Sequence, residues 1–273
     1  MFWRKINSTF AFLVLLSFGV QTSFAHQYEE TLDRTFALKP GGELILINTN
    51  GKVTVRAWDQ EKLRLRAELR VEAQNREEAR KIAEEAIAID QTPEQIQIET
   101  KREKVISLWK SLFGKKKRSK VCRVDYELTL PRRTDLDIRS VNGGIGITDI
   151  EGGIEARTTN GGIGISGVSS SVNAHTTNGG IKVELNEVSP DESMSFTTTN
   201  GGIKVCLPQT IKADISARTT NGRIHTDLPL EVKGSFNSRN IKGKINGGGA
   251  LVKLNTTNGG ISILSVSEKG DKH

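Results

Sequence analysis

The chain has 273 residues, a formal net charge of +7, 27 glycines, two cysteines and 5% aromatic residues. Cys122 and Cys206 leave room for one disulfide at most, and their spacing fits no metal motif. The length suffices for one domain with a continuous core, which Ile and Val must fill because aromatics are scarce.

The first 25 residues read as a signal peptide. Arg4 and Lys5 form a positive start, Phe10 to Val20 a short apolar run, and Ser23-Phe24-Ala25 a small-x-small cleavage site. The apolar run is too short for a spanning helix, and no second run follows. The expected product is exported, periplasmic or extracellular, and starts at His26. Residues 26–273 then form one domain.

Residues 27–71 read as strands. Leu44 and Leu46 lead into Thr49-Asn50-Gly51-Lys52-Val53, and Leu63, Leu65, Ala67, Leu69 and Val71 alternate in a further strand. The period then changes. Asn75 with Glu78 three residues on is a capping signature, and Ala79, Ile82, Ala83, Ala86 and Ile87 share one helical face. The pattern predicts a helix over 75–89, laid over an edge or end of the β-structure. Ile96, Ile98 and Thr100 predict a short strand.

Residues 101–120 differ from the rest. From Lys101 to Arg123 there are ten cations against Glu103 alone, so the remainder of the exported chain is acidic. Trp109 and Phe113 lie among Lys110, Lys115, Lys116, Lys117, Arg118 and Lys120. Such a loop suits an anionic membrane surface or a polyanionic glycan, or is a solvated insertion whose aromatics tuck onto the fold. No specific nucleic-acid partner is expected.

The second half repeats one phrase. Thr-Thr-Asn-Gly-Gly-Ile starts at Thr158, Thr176, Thr198 and Thr256, with near copies at Ser140 and Thr219 and a degraded one around Asn240. The structural turns are assigned to Asn142, Asn160, Asn178, Asn200, Asn221 and Asn258, where Asn and Gly tolerate left-handed backbone. Apolar residues alternate on both sides of each turn, describing two half-buried strands per repeat. An antiparallel meander would not need the same residue at the same phase six times. Stacked coils do favour identity, because like side chains can form ladders. The fold class is therefore all-β, a β-solenoid of coils of about 18–22 residues spanning 140–265, with one inserted helix. The Ile column at 145, 163, 181, 203 and 224 should stack on neighbouring coils about 5 Å apart.

With its leader, inserted helix, the strand Val124 to Pro131 and the recurring Asn-Gly-Gly-Ile, the chain resembles the bacterial adhesin-like family of exported β-repeat domains. That group is also called toast-rack or head-GIN-like. The resemblance covers nearly all of the exported chain and implies adhesion or cell-envelope association. It brings no catalytic or ligand residues, and the loop at 101–120 is not assumed to be common to it.

Chemistry is sparse. A calcium-binding nonapeptide array needs a carboxylate where Thr148 and Ser166 stand. Glycoside hydrolysis needs two neighbouring carboxylates, whereas Asp149, Glu155, Glu184, Asp214 and Asp227 are scattered in phase. No cofactor or metal is implied. The expectation is a non-enzymatic exported solenoid acting as an adhesin or envelope-associated binding or scaffold protein. The alternatives are a glycan-active enzyme on a β-helix scaffold, or a membrane-proximal scaffold in envelope stress signalling.

Overall fold

The computed structural model describes residues 26–101, 120–187, 192–232 and 237–266. The leader, and Trp109, Lys110, Phe113, Lys115, Lys116, Lys117 and Arg118, lie outside the described residues. Lys120 opens a strand.

Two sheets, of ten and eleven strands, build the domain. One coil shows the unit. Strand β10 (Ile154–Asn160) lies in sheet B, the Gly161-Gly162 corner follows, and β11 (Ile163–Val168) lies in sheet A. The next coil, β12 (Val172–Asn178) and β13 (Ile181–Leu185), pairs with it in parallel: Thr158 with Thr176, Asn160 with Asn178, Ile163 with Ile181. The same register extends back to β8 (Thr134–Asn142) and β9 (Ile145–Thr148), and on to β14 (Met194–Asn200) and β15 (Ile203–Leu207). This is a parallel solenoid, not a meander. Its alternation sends Ile145, Ile163, Ile181 and Ile203 into the core at no more than 2% exposure. Each such side chain contributes roughly 1.5–3 kcal/mol by burial.

Three columns hold the corners. Each Asn donates its side-chain amide to the Asn carbonyl oxygen of the preceding coil, in the order 142 to 50, 160 to 142, 178 to 160, 200 to 178, 258 to 200 and 221 to 258, at 2.7–2.8 Å. Thr158, Thr176, Thr198, Thr256 and Thr219 donate to the first-Gly carbonyl one coil away, at 2.8–2.9 Å. Ser140 breaks this pattern. Its Oγ is buried without a hydrogen-bond partner among the described residues, while Asn48 Nδ2 donates to Gly51 O, the carbonyl in its reach by column order.

The glycine column has a second cause beside the left-handed backbone the sequence suggests, which holds at Gly51 (φ 121°) and Gly161 (φ 159°). None of the seven ladder Asn has a positive φ. The first Gly of each corner is needed because a Cβ would meet the neighbouring backbone: at Gly179 it would sit 2.0 Å from Gly161 O, and at Gly201 2.0 Å from Gly179 O. The second Gly is less constrained, with a carbonyl 3.3 Å from a Cβ at Gly162. Lys52 and Arg223 occupy that position at the two outermost corners.

The coil order also departs from expectation. Strands β20 (Ala250–Asn258) and β21 (Ile261–Ser265), the C-terminal coil, insert between β14/β15 and the coil made by β16 (Ala213–Asn221) and β17 (Ile224–Thr226). Ile203 therefore stacks on Ile261, and Ile261 on Ile224. Asn240 is in no coil of the ladder. It begins β19 (Asn240–Ile245), which runs antiparallel to β16 and, with β18 (Glu231–Val232), closes sheet B.

The opposite end is covered as expected. Strands β2 (Gly42–Ile47) and β3 (Val53–Trp58) form the first coil, joined to the ladder by an Asn50–Asn142 bridge. Beyond β3 lies β7 (Lys120–Pro131), parallel to it, then β4 (Lys62–Ala73) and β1 (His26–Ala37), each antiparallel to the strand before. Beyond β2 lie β6 (Gln95–Thr100) and β5 (Ile87–Gln91). Helix α1 (Arg76–Ala86) packs on β1, β4, β7 and β5 and so closes the gap between the sheets. Asn75 Oδ1 accepts from the Glu78 N–H and Glu78 returns a carboxylate to the Gln74 N–H, the reciprocal cap. The helix is shorter than the predicted 75–89. At Ile87 the chain turns extended and pairs with Thr100, so sheet pairing overrides the helical period.

Candidate binding face

The columns that make the fold use their polar groups on one another. What remains for a partner is the outward side of each strand. On sheet B the parallel register lines these residues up along the rod. One row runs Asp137, Glu155, Asn173, Ser195, Lys253, Ser216, Lys242; the row beside it runs Arg139, Arg157, His175, Thr197, Asn255, Arg218. Neighbours within a row are about one strand spacing, 4.8 Å, apart.

The two ends of this face differ in charge. Asp137 and Glu155 are acidic neighbours, each held by the Arg two residues on, at 2.7 Å and 2.8 Å. Burial raises the Glu155 carboxyl above the usual glutamate value; Arg157 opposes this and Asp137 adds to it. Farther along, short side chains take over. Glu155, Arg157, Asn173, His175, Ser195 and Thr197 line an open depression. Beyond it stand Lys253, Arg218 and Lys242, all exposed.

Most of the carboxylates noted in the sequence are kept apart. Glu184 is on the outer side of sheet A, Asp149 is in a turn at φ 60°, and Asp227 accepts the Ser265 N–H. Asp214 lies on β16, near Lys244 at 3.9 Å. The Asp137–Glu155 pair escaped sequence reading because its members are 18 residues apart; the repeat length itself was the signal. Cys122 and Cys206 are only half-buried, on strands with β3, β9, β11 and β13 between them. Five strand spacings, about 24 Å, exclude a disulfide within one chain. No group of three metal-ligating side chains occurs among the described residues. No helix among them is long and apolar enough to cross a membrane.

Residues 135–264, which include all the ladder coils from β8 onward, match the family described as Toastrack DUF4097. This stretch is a Toastrack domain. The chain is similar to a Clostridium sporogenes protein named for cell adhesion, at 13% identity and a TM-score of 0.43, over 87% of this chain and 100% of that one. It is similar to a Bacteroides fragilis protein named as an adhesin, at 12% identity and a TM-score of 0.44, over 87% and 97%. It is also similar to a Parabacteroides distasonis protein named for lipid binding, at 10% identity and a TM-score of 0.34, over 87% and 97%. No curated protein matches the chain.

Proposed function

We propose that this Toastrack protein is a non-enzymatic, exported β-solenoid that works as an adhesin or as a binding or scaffold protein of the cell envelope. The observation that carries this reading is the division of labour between columns. Asn, Thr and Gly are spent on stacking, while the outer face of sheet B presents two unbroken rows of polar side chains along the rod. A rigid rod with a laterally repeated face suits lateral attachment to an extended partner. The leader at 1–25 supports export, and the cationic segment 101–120 would add attraction to anionic membrane or glycan.

The test uses the full chain expressed with its leader. N-terminal sequencing should find His26, and the mature protein should pellet with isolated cell envelopes. Replacing Lys115, Lys116, Lys117 and Arg118 by Ser should weaken that association by about 1 kcal/mol per charge at an anionic membrane. Retention of the leader in the cytoplasm, or no association at all, would defeat the reading.

One observation favours a second reading, glycan hydrolysis. Asp137 and Glu155 are register partners, and Glu155 is shifted toward an acid. Reducing-end release from envelope glycans, lost in Glu155→Gln, would establish it. Arginines on both carboxylates, and a face open to water, weigh against it.

A further inference from the structure

The distal half of the sheet B face holds cations that the fold does not use. Lys253 and Lys242 are register partners of Ser216 on either side, so the three form the row Lys253, Ser216, Lys242. The two lysines are two strand spacings, about 10 Å, apart. Arg218 stands two residues beyond Ser216 on the same strand, flanked by Asn255 and Asn240. Lys253, Lys242 and Arg218 are exposed and have no ion-pair partner among the described residues. The nearby carboxylates, Asp214 and Glu231, lie one row over, where both are register partners of Lys244. Toward the middle of the rod the rows continue as Ser195, Thr197 and His175, lining the depression.

We propose that this face is a binding site for a linear acidic polysaccharide, lying along the rod axis across the strands. The inference rests on the envelope-binding reading above and names the ligand class for it. Cation, hydroxyl and cation alternate along the row, which suits a chain alternating carboxylates with hydroxyl-bearing sugars. The amides and hydroxyls of Asn255, Thr197 and Ser195 donate to and accept from neutral sugar hydroxyls. A membrane is the poorer occupant. Interfacial binding needs apolar side chains to insert, and Leu251 is the one large hydrophobic exposed among the described residues. It borders the row beside Asp214, where it can lie against the apolar face of a sugar ring but cannot anchor in a bilayer.

The experiment measures binding of the full mature chain to hyaluronate oligosaccharides, which carry a carboxylate on every second sugar. Dextran and phosphatidylglycerol vesicles are the comparison ligands. The variant is Lys253→Gln, Arg218→Gln, Lys242→Gln together. A control with the same charge change, Lys62→Gln, Lys182→Gln, Lys204→Gln, alters sheet A. The proposal predicts hyaluronate binding weakened about tenfold or more in the sheet B variant, and by much less in the control, with equal melting curves. Binding should fall steeply with salt and be absent for dextran. Equal loss in both variants would reduce the effect to net charge and overturn the site. Loss only in the Lys115/Lys116/Lys117/Arg118→Ser chain would place glycan binding in segment 101–120, leaving envelope binding intact but this inference wrong. Vesicle binding that depends on the sheet B cations, without hyaluronate binding, would make the face a lipid contact. A wild-type sedimentation coefficient above that of the sheet B variant would make it a contact between copies.

Discussion

Between Thr134 and Leu207 every strand has parallel neighbours that carry nearly its own residues, whereas the strands at both ends of the rod have neighbours they do not resemble. In the middle, β10 meets β8 and β12 with Thr or Ser and Asn in phase. At one end β1, β4 and β7 run antiparallel and are joined across strands by Arg64–Asp33 at 2.7 Å and Arg70–Glu29 at 3.2 Å. At the other, β19 and β18 turn back on β16. Identity between neighbours is useful only where a coil has a coil on both sides. At an end it would present a free edge ready to pair with another chain, so at three of the four sheet ends the pairing turns antiparallel and the composition changes, while sheet A ends on the short parallel β17.

Removing the C-terminal coil should break the comparison most severely, because it lies in the middle of the stack although it comes last in sequence. A chain ending at Gly249 loses buried Val252, Leu254, Ile261 and Ile263. Their burial is worth roughly 6–12 kcal/mol, comparable with the whole stability of a domain. The expected result is loss of the cooperative thermal transition, with rapid amide exchange in β16 and β17. A truncated chain with unchanged melting would contradict the insertion.

Two glycines sharpen the contrast within one coil system. Gly179→Ala forces a Cβ against Gly161 O and should cost roughly 2–3 kcal/mol, since a backbone carbonyl cannot swing aside. Gly164→Ala points into open space and should be neutral or stabilising by about 0.5 kcal/mol. Denaturant midpoints for the two variants separate steric need from turn chemistry; equal midpoints would refute it. Thr176→Val comes next. It keeps the volume but leaves Gly161 O without its hydroxyl donor, costing about 1–2 kcal/mol in the same assay.

Much of this was legible in the sequence, for a physical reason. Parallel stacking repeats the environment of each residue at every coil, so Thr158, Thr176 and Thr198 all report the same buried site. The inserted coil was hidden because repeats record phase within a coil and not which coil lies above. The recovery of the full phrase at Thr256, after the weaker copy at Thr219, was the one hint that the last copy belongs inside. The steric cause of the glycine column is hidden because Asn-Gly is also the signature of a turn; close approach of two backbones leaves no separate mark. Rows on the outer face were invisible for the same reason as the order: Lys253 and Lys242 become neighbours of Ser216 only once β20 and β19 flank β16.

The smallest expected effect concerns the N-terminal end. Asp125 is partly buried, which raises its carboxyl pKa, but the Arg123 guanidinium and the Lys52 N–H outweigh this and hold it below the usual aspartate value. A lowered pKa in the fold contributes stability that is complete above the unfolded aspartate value, about 4. That contribution is lost as pH falls through the lower folded value. Asp125→Asn should therefore melt lower than wild type at pH 7, with the gap closing in acid; a gap independent of pH would deny the carboxylate this part.

The order of the coils can be read directly by crosslinking. Lys204 is the register partner of Ser262, and Ser262 that of His225, all on the outer side of sheet A. In a Cys122→Ser, Cys206→Ser background, Lys204→Cys with Ser262→Cys brings Cα atoms to about one strand spacing, within disulfide reach. Lys204→Cys with His225→Cys leaves them about 10 Å apart, beyond it. The inserted coil predicts rapid intramolecular oxidation of the 204–262 pair and none of the 204–225 pair; the reverse result would show that the coils stack in chain order and that this account of the rod is wrong.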